Sequence, residues 1–162
     1  MGLSLSRIST PLTYGVLACI AVALISLTAL QASAQTSSTR TFSEHNFGVT
    51  SIAYSPDGTH ALTGSLDGAA KLWGVTDGEV VREFLGHDAS INAVAFAPDG
   101  LFVVTGSADD TARWWGVALE EPVLELSGHS EDVTSVAISS DSLRVVTGSE
   151  DGTAKLWSTD VN

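Results

Sequence analysis

The sequence predicts an all-β fold: three consecutive four-stranded antiparallel units, stacked against one another and preceded by an N-terminal signal helix. Three observations carry this reading. Segments VTSIAYSPDGTHALTGSLDGAAKLWG from Val49, INAVAFAPDGLFVVTGSADDTARWWG from Ile91 and VTSVAISSDSLRVVTGSEDGTAKLWS from Val133 align without a gap at a period of 42 residues, and such self-similarity marks a repeat architecture. Each copy consists of short β-rich runs broken by turn residues, with no helical periodicity long enough to compete. Within the runs the apolar residues are nearly continuous, as expected when both faces of a small sheet are covered. The neighbouring copy supplies that cover.

Ahead of the repeats, the first 34 residues contain no acidic side chain, an early Arg7, the apolar run Tyr14 to Leu30, and then Gln31-Ala32-Ser33-Ala34. Charge, apolar core and small residues in that order describe a secretory signal over 1–34, with cleavage between Ala34 and Gln35. The alternative is an uncleaved membrane anchor over 12–30, because the run is near the lower length limit for a spanning helix. Cys19 is the single cysteine and lies inside the run, so the mature chain is expected to have no disulfide, thiol chemistry or cysteine metal site. Lipid attachment there is disfavoured, since Leu17 fits a lipobox poorly and apolar sequence continues beyond Cys19. Residues 35–40 read as a linker and 41–162 as the repeat segment. The location expected is periplasmic or extracellular; with an uncleaved segment, the repeats are held to a membrane.

The second copy shows the elements most clearly. Ile91 to Phe96 reads as a strand, Ala97-Pro98-Asp99-Gly100 as a turn, and Leu101 to Ser107 as a second strand. Pro98 presets a turn φ, Asp99 bonds nearby backbone, and Gly100 accepts positive φ. Ala108-Asp109-Asp110 turns the chain into Thr111 to Trp115, and Pro122 to Leu126 forms the fourth run. By the period, the units span about 45–84, 87–126 and 129–160.

The chain carries 19 acidic and 7 basic residues, a net charge of −12. All the acidic ones follow Ala34, where the only bases are Arg40, Lys71, Arg82, Arg113, Arg144 and Lys155. Such an excess repels phosphate backbones and anionic lipids, so nucleic acid is excluded as a partner and membrane contact is limited to the N-terminal segment. Solubility explains the acidity.

A period in the low forties, Gly86-His87 and Gly128-His129 before the first strand, and Trp73, Trp115 and Trp157 closing the third together resemble the WD-repeat β-propeller family. The likeness runs from Thr39 to Asp160. It departs from the family at the Trp-Asp dipeptide, here Trp73-Gly74, Trp115-Gly116 and Trp157-Ser158, and at Glu44, which replaces the Gly before His45. The resemblance implies a hydrogen-bonded structural tetrad in each blade. These are His45, Thr63, Asp67 and Trp73; His87, Thr105, Asp109 and Trp115; and His129, Thr147, Asp151 and Trp157. The residue types suit this, because an indole only donates, a hydroxyl gives and takes, an imidazole relays and a carboxylate accepts.

Metal, cofactor and catalytic readings are disfavoured. Histidines and aspartates spaced by the repeat period fall at equivalent points of separate blades and do not converge on one ion. The turns at Asp57-Gly58, Asp99-Gly100 and Asp151-Gly152 lack the spaced oxygen ligands of a calcium loop. No Gly-rich phosphate loop, serine elbow or His-Glu-x-x-His helix is present. The expectation is therefore a non-enzymatic scaffold that binds a protein or peptide, with no cofactor. Arg82, Asp88, Arg113, Glu131 and Arg144 are candidate exposed contacts.

Closed propellers have four to eight blades, and this sequence encodes three. The third copy has no fourth run of its own, whereas Arg40-Thr41-Phe42-Ser43 resembles such a strand without its blade. A homodimer completing a six-bladed ring is one expectation. Two alternatives stay open: an envelope or extracellular ligand-binding or enzymatic propeller assembled from several chains, and a truncated fragment without independent function.

Overall fold

A computed structural model of the chain describes residues 40–160. The expected signal helix, its cleavage site and the linker up to Thr39 lie outside these residues. The described part contains eleven strands in three antiparallel sheets. Strands β1 (Val49–Tyr54), β2 (His60–Ser65), β3 (Ala70–Gly74) and β4 (Val80–Phe84) form the first. Strands β5 (Ile91–Phe96), β6 (Phe102–Ser107), β7 (Thr111–Gly116) and β8 (Pro122–Ser127) form the second. The third holds β9 (Val133–Ile138), β10 (Arg144–Ser149) and β11 (Ala154–Ser158).

Three four-stranded sheets were the expectation, and the third has three strands among the described residues. Arg40–Ser43 is not a strand. Its expected ladder partner, β11, pairs with β10 alone among the described residues. The segment is nevertheless anchored. Phe42 lies 5.2 Å from Trp73 between ring centroids, as Phe84 lies 5.7 Å from Trp115. The Arg40 guanidinium donates to the carbonyls of Thr76 and Asp77.

The turn between the first two strands of each sheet is closed by an aspartate. Asp57, Asp99 and Asp141 accept from the backbone N–H groups of Thr59, Leu101 and Leu143 at 3.0, 2.8 and 3.0 Å. That bond commits the Leu101 N–H to the turn, so β6 begins at Phe102 instead of at Leu101. The next position is left-handed in all three turns: Gly58 and Gly100 have φ of 71° and 72°, and Ser142 has φ of 59°.

The core lies between sheets. One buried cluster joins Leu62, Leu72 and Phe84 of the first sheet to Ile91, Val94, Val103 and Trp115 of the second. Another joins Val104, Ala112, Trp114 and Leu126 of the second to Val133 and Val145 of the third. Burial of each such aliphatic side chain contributes roughly 1.5–3 kcal/mol. Glycines permit the close approach: a Cβ at Gly64 would fall 2.5 Å from Ile91 and 2.9 Å from Val94, and one at Gly106 would fall 2.7 Å from Val133 and 2.9 Å from Val136.

Candidate functional site

The recurring polar residues meet within each sheet. The tryptophan ends the third strand, the threonine lies in the second, the aspartate follows the second, and the histidine precedes the first. In the first sheet, Trp73 Nε1 donates to Thr63 Oγ1 at 2.8 Å, His45 Nε2 is 2.7 Å from the same oxygen, and His45 Nδ1 is 3.0 Å from Asp67 Oδ2. The second sheet repeats this through Trp115, Thr105, His87 and Asp109 at 2.9, 2.7 and 2.7 Å. The third does so through Trp157, Thr147, His129 and Asp151 at 2.9, 2.8 and 2.7 Å.

The proton order follows from the two ends of the chain, an indole that can only donate and an ionised carboxylate that can only accept. The carboxylate takes its hydrogen from Nδ1, which leaves Nε2 of a singly protonated ring to accept from the threonine hydroxyl, while the hydroxyl oxygen takes the indole N–H. Backbone N–H groups add to the carboxylate: Asn46 donates to Asp67 at 2.9 Å, Asp88 to Asp109 at 3.1 Å and Ser130 to Asp151 at 3.3 Å.

These surroundings set the charges. Burial opposes ionisation of Asp109, but bonds from Thr111, His87 and the Asp88 N–H prevail and lower its carboxyl to about 2. Burial likewise opposes charge on Asp67, while bonds from Asn46, His45 and Ala69 hold it below the ordinary carboxylate range. Asp151 is held low chiefly by the Thr153 hydroxyl, then by His129 against the effect of burial. Burial lowers His87, with Asp109 opposing. A neutral His87 beside an ionised Asp109 is the state that this proton order requires.

Serine extends each network. Ser65, Ser107 and Ser149 accept from the N–H groups of Asp67, Asp109 and Asp151 at 3.2, 3.2 and 3.1 Å. Each also donates to the carbonyl of Phe47, Ala89 or Glu131. Their shared spacing of 42 residues was the available signal, though serine after Thr-Gly reads as ordinary strand.

Two proposed surface contacts need correction. Arg82 lies on β4, half-buried, with its guanidinium 4.6 Å from the Phe84 ring and Nη1 donating to the carbonyls of Gly116 and Val117 at 3.0 and 2.9 Å. Arg113 lies on β7, half-buried and 3.3 Å from Glu125. Both arginines secure neighbouring strands instead of standing in exposed loops. Asp88, Glu131 and Arg144 are exposed.

At Glu44, where the other units have glycine, the backbone carbonyl receives the Lys71 ammonium at 3.0 Å, and the His45 network retains the geometry of the others. Among the described residues, no three His, Cys, Asp or Glu side chains are placed to share a metal ion.

A groove of about 310 Å³ opens at the turn end of the first two sheets. Leu72, Phe96, Leu101 and Val117 supply apolar walls, and Asp57 and Asp99 supply carboxylates. The Ser55 hydroxyl, followed by the Thr59 N–H and hydroxyl, lowers Asp57 to about 2.

The class these observations define is a repeat protein of antiparallel sheets whose cores lie between modules, each sheet carrying one Trp–Thr–His–Asp chain. The WD domain, G-beta repeat family model matches residues 36–74, 78–116 and 120–158, and the chain belongs to that family. No curated protein matches it.

Proposed function

We propose that the chain is an exported, non-catalytic scaffold whose groove between the first two sheets holds a peptide segment of a protein partner. The carrying observation is a division of labour among side chains. Recurrent polar groups that resemble a catalytic set are used up in hydrogen bonds within each sheet, and in this reading they serve structure. The groove walls formed by Leu72, Phe96, Leu101 and Val117 are apolar, while Asp57 and Asp99 at the rim favour a segment with an apolar side chain next to lysine or arginine. Protein interaction is the role that WD repeats generally suggest. Export rests on the order of Arg7, the apolar run and the Ala32-Ser33-Ala34 site. Completion of a ring by another chain belongs to the same reading.

The test is a displayed-peptide selection against the full-length chain. Enriched peptides are expected to pair an apolar residue with a basic one, and to lose at least tenfold in affinity against Leu101→Asp. Leu101 is exposed, so this variant keeps the fold. Peptides without that pattern, or binding unchanged by Leu101→Asp, would refute the groove. N-terminal sequencing of exported protein should begin at Gln35; a start at Met1 would refute cleavage.

A further inference from the structure

The two outer faces of the three-sheet stack match the halves of its internal interfaces. At the first interface, Ile91 and Val94 of the second sheet enter the space above Gly64; at the second, Val133 and Val136 enter the space above Gly106. The corresponding residues on the outer face of the first sheet are Val49 and Ile52, with Ile52 73% exposed against 7% for Val94. The corresponding glycine on the far side of the stack is Gly148. A Cβ there would meet no side chain from another sheet, its close neighbour being the Ser135 hydroxyl. Around it, Leu156 is 66% exposed, whereas Leu72 and Trp114 at the same repeat position are 1% and 2% exposed.

Polar groups follow the same pattern. Thr50 Oγ1 donates across the first interface to the Ile91 carbonyl, and Asn92 Nδ2 donates across the second to the Val133 carbonyl at 3.2 Å. Thr134 occupies the next equivalent position and donates to the Gly148 carbonyl of its own sheet at 3.3 Å, as Thr50 also does to Gly64 at 3.0 Å, but among the described residues it has no bond to another sheet.

We infer that a second copy of this chain covers these faces: Val49 and Ile52 of one copy seat on Gly148 of the other, and Arg40–Ser43 becomes the fourth strand beside β11. This rests on the ring completion included in the proposed function and identifies its partner and contacts. The chain carries both the protruding side chains and the receiving glycine, one set at each end of the stack, so two copies satisfy both pairs of faces. Phe42 already occupies on Trp73 the place that Phe84, from the fourth strand of a preceding sheet, occupies on Trp115. The register follows from the repeat. Ala70 pairs with Phe84, Lys71 with Glu83 and Leu72 with Arg82; by translation, Ala154 faces Phe42, Lys155 faces Thr41 and Leu156 faces Arg40 of the second copy. Facing antiparallel residues lie within disulfide range.

The full-length chain carrying Cys19→Ser is tested by light scattering coupled to size exclusion and by circular dichroism. Wild-type contacts are expected to give twice the single-chain mass. Gly148→Val fills the receiving space, and Ile52→Asp charges the protruding face. Each should give the single-chain mass with an unchanged β spectrum, since a side chain at Gly148 meets only a movable hydroxyl within the chain and Ile52 is exposed. Differently tagged Thr41→Cys and Lys155→Cys chains should form a disulfide-linked pair when mixed and oxidised, while neither alone should do so. A folded single chain, an open ladder of multimers, a dimer insensitive to both face variants, or no disulfide between the mixed chains would overturn the inference. Leu101→Asp should leave the mass unchanged, and Gly148→Val should leave peptide affinity unchanged, so failure of the groove and failure of the pairing are distinguishable.

Discussion

Replacing Thr105 by Val tests how strongly one hydroxyl holds the middle sheet. Thr105 is fully buried and stands between Trp115 Nε1 at 2.9 Å and His87 Nε2 at 2.7 Å. Valine nearly preserves the volume and β-branching, so packing and strand preference change little. The indole donor and the imidazole acceptor both lose their partner, and an unsatisfied buried group costs roughly 1–3 kcal/mol. A buried methyl in place of a hydroxyl returns about 1 kcal/mol. With two such groups, the expected net loss is about 1–5 kcal/mol. In a chain held single by Ile52→Asp, Trp157 of the third sheet is only half-buried, so water can replace part of the lost bonding, and Thr147→Val should cost about 1–2 kcal/mol. Urea unfolding of the full-length chain carrying Ile52→Asp, followed by tryptophan fluorescence, measures both. A loss below about 0.5 kcal/mol for Thr105→Val, or one no larger than that of Thr147→Val, would refute the network account.

Two further predictions concern stability. Acid should weaken the fold in two stages: the folded His87 is lowered by burial, so the unfolded chain takes up that proton first as pH drops below about 6.5, and stability declines from there. The folded Asp109 is also lowered, so its contribution is present above the ordinary carboxylate range and disappears from about pH 4 toward about 2; urea midpoints that stay level from pH 7 to about 3 would contradict this. Ser142→Gly should raise stability by about 0.5–1 kcal/mol by relieving a left-handed serine, and a lower thermal midpoint would count against it.

The repeat made much of the fold legible because register transfers an assignment from one copy to the next. Once Ile91 to Phe96 is read as a strand, Val49 and Val133 start equivalent strands. Features that break the period were harder to read. Thr50, Asn92 and Thr134 share a position but differ in type, which hides the bonds between sheets. Arg82 and Arg113 look like surface charges in sequence, yet an arginine stem can lie along apolar surface while its head reaches backbone carbonyls or a carboxylate. Strand identity at Arg40–Ser43 depends on a ladder partner, which lies beyond what the segment's own residues can specify. Within the networks, the donor-only indole and the acceptor-only carboxylate together order the protons, whereas the distances that make the order effective depend on the paired strands.

Because the apolar clusters straddle the sheets, cohesion belongs to the joints. Within a single chain the middle sheet is gripped on both sides and each outer sheet on one, so an unpaired stack behaves as a short chain of coupled links. Loosening either outer sheet uncovers one flank of the middle sheet while its other joint persists. Loosening the middle dissolves both joints together. In the single-chain variants Gly148→Val and Ile52→Asp, transient opening and amide exchange should therefore run inward from the ends, leaving β5–β8 as the last region to yield its hydrogens to solvent.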